Sequence, residues 1–283
     1  MKLPFTKMHG CGNDYVYIDG SAVDVPAGKK AELVRRLSDR HFGIGGDGVI
    51  FINPSAEADF EMEMYNADGS RAEMCGNGIR CVAKYVYDAR LTERRELDIV
   101  SAGKNRHIVL QTEDGRAVSA RVDMGRPELR AEKIPVTAAG ERVIDEEITV
   151  NGTVYRMTCV SMGNPHAVVF TADVKNLPLA EIGPYFENHE RFPQRINTEF
   201  VHVVDRRHVE MRVWERGTGE TLACGTGCCA VVTACVLNGL TEREITVHVP
   251  GGDIVAAWDA ADDTVYMTGP AKTVFTGEID VNL

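Results

Sequence analysis

Apolar and polar positions alternate along the chain in short runs separated by glycine-bearing turns. Residues 60–65 and 208–214 follow this rule, with Val209, Met211 and Val213 on one side, and the alternation predicts strands. Further strands are expected over 14–19, 49–52, 96–100, 107–110, 117–123, 165–170, 199–204, 244–249, 253–258 and 264–267. The period changes at 30–40 and again after residue 75, where Ile79, Val82, Ala83 and Val86 recur at helical spacing. Cys228 to Leu237 is nearly all apolar, and a helix apolar on every side belongs at the centre of its domain. The stretch 128–150 is charged and weakly patterned, and reads as an exposed connection.

The pattern occurs twice. At an offset of 149, Met62-Glu63-Met64-Tyr65-Asn66 lies over Met211-Arg212-Val213-Trp214-Glu215, and Cys75-Gly76-Asn77-Gly78 over Cys224-Gly225-Thr226-Gly227. Leu91-Thr92-Glu93-Arg94 lies over Leu240-Thr241-Glu242-Arg243, and nine of the 33 positions from 62 to 94 are identical. Gly12-Asn13 and Gly163-Asn164 match at 151. Two copies are too few for a solenoid and suit a pseudo-two-fold molecule with a cleft between its lobes. The length, 283 residues, agrees with two domains.

Composition narrows the partners. The net charge of −11 argues against nucleic acid and anionic membrane, both of which need clustered Lys and Arg. No run approaches the ~18 apolar residues of a membrane span. Lys2 and Lys7 have no apolar run behind them, so no secretory leader is expected and a cytoplasmic, reducing location is. The eight cysteines are then expected as free thiols, most of them core residues. No Cys-x-x-Cys pair occurs, and Cys228 and Cys229, adjacent on a helix, would chelate poorly, so no metal is expected.

Cys75 and Cys224 differ from the rest. Each precedes a predicted helix and opens a Cys-Gly-x-Gly turn at an equivalent place in the repeat. The first amides of a helix have no partner within the helix, and the dipole is positive there, so the turn can hold an anion and lower a thiol pKa. Two such turns across a cleft could grip one carboxylate and set one sulfur on each side of its α-carbon. Inverting a stereocentre needs that arrangement, with one group removing a proton and another delivering one to the opposite face. Cys81, Cys228, Cys229 and Cys235 lie further along the helices and read as core, as do Cys11 and Cys159. Gly43-Ile44-Gly45-Gly46-Asp47-Gly48 fits G-x-G-x-x-G, but a helix precedes it and a strand follows. That is the reverse of a dinucleotide site, and a loop shaping the cleft is the better reading.

The chain resembles the diaminopimelate epimerases from end to end. The resemblance rests on Lys7-Met8-His9-Gly10-Cys11-Gly12-Asn13-Asp14, on the Gly43–Gly48 loop, on Tyr65-Asn66-Ala67-Asp68-Gly69-Ser70 and on Glu73-Met74-Cys75-Gly76-Asn77-Gly78-Ile79-Arg80-Cys81. In the second half it rests on Ser161-Met162-Gly163-Asn164-Pro165-His166, Glu215-Arg216-Gly217-Thr218-Gly219-Glu220-Thr221, Ala223-Cys224-Gly225-Thr226-Gly227 and Tyr266-Met267-Thr268-Gly269. It implies an α+β fold of two pseudo-symmetric domains, each a sheet wrapped around a central helix. The domains would be 1–123 plus 270–283 and 124–269, with the active site in the cleft between them.

The resemblance also implies epimerisation of L,L-diaminopimelate to the meso isomer, in lysine and peptidoglycan precursor biosynthesis, without pyridoxal phosphate, other cofactor or metal. By position, Cys75 and Cys224 match the acid/base pair. Gly76, Asn77, Gly225 and Thr226 match the amides that hold the reacting carboxylate. Glu215 and His166 match polar groups near the reacting amine, and Asn66, Asn164, Asn197 and Arg216 match the group that reads the distal amino-acid head. Asn13 matches a further binding position and Tyr266 a homodimer contact. Some relatives carry glutamine at the position of Gly48, so water or another residue is expected to replace that side chain here. The alternative is a sister racemase acting on proline, hydroxyproline or histidine. Proline racemases typically show His after the first Cys-Gly, where Asn77 stands, and lack the Glu215–Thr221 block; histidine racemases keep more of the pattern. A disulfide between Cys75 and Cys224 would be a liability to such an enzyme, not its function.

Overall fold

The computed structural model describes residues 1–72 and 75–281; Glu73 and Met74 of the first thiol motif lie outside them. In chain order the first elements are β1 (Lys2–Gly10), β2 (Asn13–Asp19), α1 (Ala27–Ser38), β3 (Gly48–Pro54), β4 (Phe60–Asn66), α2 (Gly76–Asp88), β5 (Glu96–Ser101), β6 (Lys104–Glu113) and β7 (Arg116–Gly125). There follow β8 (Glu146–Val150), β9 (Thr153–Ser161), β10 (Pro165–Phe170), α3 (Leu179–Glu187), β11 (Asn197–Val203), β12 (His208–Glu215), β13 (Gly219–Thr221), α4 (Gly225–Leu237), β14 (Glu244–Val249), β15 (Gly252–Trp258), β16 (Val265–Pro270) and β17 (Lys272–Asp280). The chain divides into two compact units, Met1–Val122 with Gly269–Leu283, and Asp123–Thr268. The class is α+β.

Unit 1 orders its strands β17-β1-β2-β3-β4-β5-β6-β7, antiparallel except where β2 meets β3 and β4 meets β5. Unit 2 orders them β8-β9-β10-β11-β12-β14-β15-β16, antiparallel except where β10 meets β11 and β12 meets β14. Parallel pairs thus fall at the same two places in both sequences of strands, as the repeat requires. β3 and β11 are separated by 149 residues at both ends, and so are α2 and α4. In unit 1 the helix α2 packs on β1, β2, β5 and β6, so the sheet curls round it. In unit 2 α4 packs on β9, β10, β11, β14 and β15 in the same way, and its residues from Gly225 to Cys235 are buried. α1 and α3 cover the outer faces, over clusters built on Leu33, Val34 and Phe51 in unit 1 and on Leu179, Phe186 and Phe200 in unit 2.

The stretch 128–150 is not an exposed connection. Ala131, Ile134, Val136, Val143, Ile148 and Val150 are all buried and belong to the core cluster of unit 2, and the stretch ends in β8. Its apolar residues follow neither period because most of it is irregular backbone, so periodicity could not find them. The first helix runs from Ala27 to Ser38, beginning three residues and ending two residues before the sequence places it.

Candidate active site

The sequence-derived residues fall into two groups, one in each unit. In unit 1 a two-residue hairpin turn, with Cys11 at φ 52° and Gly12 at φ 84°, joins β1 to β2. Positive φ at both positions is the twist that a tight hairpin demands, and it sets Asn13 at the start of β2. Cys75 caps α2: its sulfur accepts the Gly78 amide hydrogen at 3.2 Å and donates to Asn13 Oδ1 at 3.1 Å. Asn13 Nδ2 donates in turn to Asp47 Oδ2 at 2.7 Å, and Arg40 bridges Asp47 and Asp14. Burial alone would raise the Asp14 carboxyl, but hydrogen bonds from Arg40 and Lys7 hold it below the usual range. The loop from Gly43 to Asp47 therefore reaches the thiol through Asp47 and Asn13, a role that its glycine spacing did not reveal.

Gly76 and Asn77 form the first turn of α2 behind Cys75. The guanidinium of Arg80, wholly buried, donates to the Gly76 carbonyl at 3.1 Å, to Asn77 Oδ1 at 2.9 Å and to the Pro270 carbonyl at 3.3 Å. It ties the thiol turn to the returning C-terminal segment. Asn66 ends β4 in the open, its side chain on Ser70 Oγ at 3.1 Å. Gly48 has a physical reason to be glycine: a Cβ there would stand 2.0 Å from the Tyr65 carbonyl oxygen and 2.9 Å from the Tyr15 ring. The backbone leaves no room for the glutamine of some relatives.

In unit 2 Cys224 caps α4 in the same way. Its sulfur accepts the Gly227 amide hydrogen at 3.3 Å and lies 3.5 Å from Thr226 Oγ1. Asn164 Nδ2 donates to Thr226 Oγ1 at 3.2 Å, Asn164 Oδ1 meets His166 Nε2 at 3.0 Å, and His166 Nδ1 meets Glu199 Oε1 at 2.7 Å. Cys224, Gly225 and Thr226 are buried, and His166 and Glu199 have no exposed surface. Burial pushes the Cys224 thiol well above its ordinary value, and the carboxylates of Glu215 and Glu199 push it further. Burial also raises the partly buried Glu215, whose carboxyl bonds to Thr221 and faces Cys224. Asn197 uses one end of its side chain on the Pro165 carbonyl and the other to accept the Arg216 amide hydrogen at 2.9 Å, so it fixes the backbone that carries Arg216. The Arg216 guanidinium reaches the Gln194 carbonyl at 3.1 Å. Glu187 braces the same loop through Trp214, Gly217 and Arg195. Tyr266 stands apart, on β16, with its hydroxyl on Asp262 at 2.8 Å.

Glu199, Asp47, Arg80 and Glu187 were not legible as site residues. Glu199 alone had a signal, a carboxylate in the middle of Asn197–Val203, where five successive residues are buried. Burial on both faces is what a strand with a parallel neighbour inside a covered sheet should show, and a charge there is anomalous. His166, Glu199 and Cys224 each offer a ligand atom within 4.8 Å of the others, the one such group of metal-binding donor types among the described residues. Both His166 nitrogens are engaged in hydrogen bonds, so the group is a hydrogen-bonded chain ending at a sulfur.

Comparison with known proteins places the chain in a family. A sequence model described as "Diaminopimelate epimerase" matches residues 5–130 and 158–274. The chain is 53% identical over 279 residues to a diaminopimelate epimerase of Methanococcus maripaludis, covering 99% of this chain and 100% of that one. It is 51% identical over 278 residues to one of Acetivibrio thermocellus, covering 98% and 99%. Among solved structures, a phenazine biosynthesis protein of the PhzF family from Bacillus anthracis shares the fold at TM-score 0.70 and 15% identity, covering 99% of this chain and 100% of that one. A hydroxyproline epimerase from Agrobacterium vitis does so at TM-score 0.67 and 15% identity, covering 98% and 91%. With matches of this identity across nearly its full length, the chain belongs to the diaminopimelate epimerase family.

Proposed function

We propose that this protein epimerises L,L-diaminopimelate to the meso isomer by a two-base reaction in which Cys75 and Cys224 are the acid/base pair. One observation carries the reading: two buried helices of equal length, 149 residues apart, are each capped by a cysteine whose sulfur takes the third amide of the helix. One sulfur, as thiolate, removes the α-proton, and the other, as thiol, returns a proton to the opposite face. The charge that grows on the substrate carboxylate falls to the helix-start amides of Gly76, Asn77, Gly225 and Thr226. Burial and two carboxylate neighbours make Cys224 the thiol of the resting pair. Cys75, whose S–H rests on Asn13 Oδ1, must give up that proton to act as the base, and one proton is then shared between the two sulfurs.

His166 and Glu215 support Cys224 and face the reacting amine. Asn13, Asn66, Asn164, Asn197 and Arg216 are assigned to substrate recognition, Arg216 as the donor suited to a distal carboxylate. The two lobes of the reading are 1–123 with 270–283, and 124–269, closing on the substrate so that the two sulfurs flank its α-carbon. The thiols and amides supply all the chemistry the inversion asks for, so pyridoxal phosphate has no part in it. The product serves lysine and peptidoglycan precursor synthesis. Among the described residues no helix is long and apolar enough to cross a membrane, and the reading takes the enzyme as a cytoplasmic homodimer with Tyr266 at the dimer contact.

The test is proton exchange in D2O under reducing conditions. L,L-diaminopimelate is incubated with wild type, Cys75→Ala and Cys224→Ala, following the α-proton by NMR and the meso isomer by chiral separation. Deuterium entry with meso product, lost in both variants, is expected. Turnover retained in either variant would overturn the two-base assignment. Exchange of proline or histidine but not diaminopimelate would move the protein to a sister racemase.

A further inference from the structure

Glu199 is a buried carboxylate that the fold does not need. At its repeat-equivalent position, 149 residues earlier in β3, unit 1 carries Ile50. The two sit in the same relation to the capping turns. A Cβ on Gly78 would stand 2.8 Å from Ile50 Cδ1, and a Cβ on Gly227 would stand 2.6 Å from Glu199 Oε1. Unit 1 thus closes the floor of its thiol turn with an apolar side chain, and unit 2 closes it with an acid. Glu199 has no exposed surface, and its Oε2 has no hydrogen-bond partner among the described residues. Retaining an unpartnered buried oxygen costs free energy that isoleucine would not, which directs attention to function.

The geometry points to Glu199 as a positioning residue: it orients the His166 ring, and through Asn164 and Thr226 the side chains that end at Cys224 Sγ. Each link of the chain is a hydrogen bond between 2.7 and 3.2 Å, up to the 3.5 Å approach of Thr226 Oγ1 to the sulfur. His166 Nδ1 meets Glu199 Oε1 and Nε2 meets Asn164 Oδ1, and the two contacts together fix the ring plane. The groups that face Glu199 are His166 from β10, Cys159 from β9, Glu215 from β12 and Cys224 on α4. Burial and the Glu215 carboxylate oppose ionisation of Cys224, and Glu199 adds to them, so removing the Glu199 charge should ease that ionisation. The inference rests on Cys224 being half of the acid/base pair.

The experiment labels the full-length enzyme with iodoacetamide between pH 6 and 10 and quantifies the Cys224 peptide by mass spectrometry, alongside epimerase kinetics. Glu199→Gln keeps an acceptor for His166 and removes the charge. It should lower the labelling midpoint of Cys224 and speed its labelling at neutral pH about tenfold, the effect of removing one like charge at this range. It should also lower kcat about tenfold with little change in KM. Glu199→Asp, which keeps the charge, should return the midpoint to its wild-type place. A wild-type midpoint in Glu199→Gln would overturn the inference. If that variant does not fold, the 15N spectrum of His166 in the wild type decides: a protonated Nδ1 upholds the inference and a bare Nδ1 overturns it. Failure of the two-base reading would show separately, as activity remaining in Cys224→Ala.

Discussion

Gly48→Ala adds one methyl group at a place where the structure has no space for it. The new Cβ would lie 2.0 Å from the Tyr65 carbonyl oxygen, and real Cβ contacts stay beyond 3.0 Å, so about 1 Å of backbone movement is required. β3 lies between β2 and β4, with Gly48 in register with Tyr15 on one side and Asn66 on the other, so neither neighbour can yield without disturbing a ladder. Overpacking of this kind costs about 1–3 kcal/mol, and one or two weakened backbone hydrogen bonds add about 1 kcal/mol each. The total is about 2–5 kcal/mol, which for a unit of this size corresponds to roughly 5–15 °C in the first thermal transition. Movement here also reaches the site, because Asp47 precedes Gly48 and holds Asn13 against the Cys75 thiol. Scanning calorimetry and exchange kinetics on the same samples test both consequences. A melting temperature within 1–2 °C of wild type (about the scatter of the scale), with unchanged kinetics, would show that the Tyr65 carbonyl gives way freely and that the steric argument is wrong. Gly48→Gln should be at least as damaged, and should not gain substrate affinity.

Arg80→Met leaves the Gly76 and Pro270 carbonyls and Asn77 Oδ1 without their buried donor. It should cost about 2–4 kcal/mol and raise KM, measured by thermal melting and steady-state kinetics; equal stability would refute the role of Arg80 as a tie. Alkaline pH should destabilise the fold. Burial raises Cys81 to about 11 and Cys235 to about 12, and pushes Cys159 and Cys224 up as well. A folded pKa above the unfolded value gives stability that is complete below about pH 8.5 and is lost as the pH rises toward the folded values. Each thiol then contributes a loss of about 1.4 kcal/mol per pH unit above that point. Melting under reductant at pH 7.5 and 9.5 should differ by many degrees, and coincident curves would sink the argument.

Much of this architecture is written in short-range pattern. The Cys-Gly-x-Gly turns announce helix starts because glycine, a capping side chain and an apolar run are neighbours in sequence, and α2 and α4 begin there. Other parts are written in contacts that spacing does not encode. α3 contains Gly183 and Pro184, which argue against a helix, yet a Cβ on Gly183 would stand 2.2 Å from the Trp214 ring, so packing requires the glycine. β17 is largely exposed and shows no alternation; its partner β1 supplies the reason for the strand. In the candidate site, the cysteines and their turns were visible. The carboxylates Asp47 and Glu199 were not, because each acts on a residue 33 or 34 positions away in sequence through side-chain hydrogen bonds.

The pairing of β1 with β17 has a bearing on how the protein is made. Unit 2 is a continuous stretch, so all of its residues have been made before the last strand of unit 1 is. Unit 1 is begun by β1 and finished only when β17, some 270 residues later, comes to lie beside it. At about 5–20 residues per second, the outer edge of β1 waits for tens of seconds with its hydrogen-bonding groups uncovered. A ribosome that stops early therefore releases a protein with one finished half and one open sheet edge. Such a product is conspicuous to the machinery that removes unfinished chains.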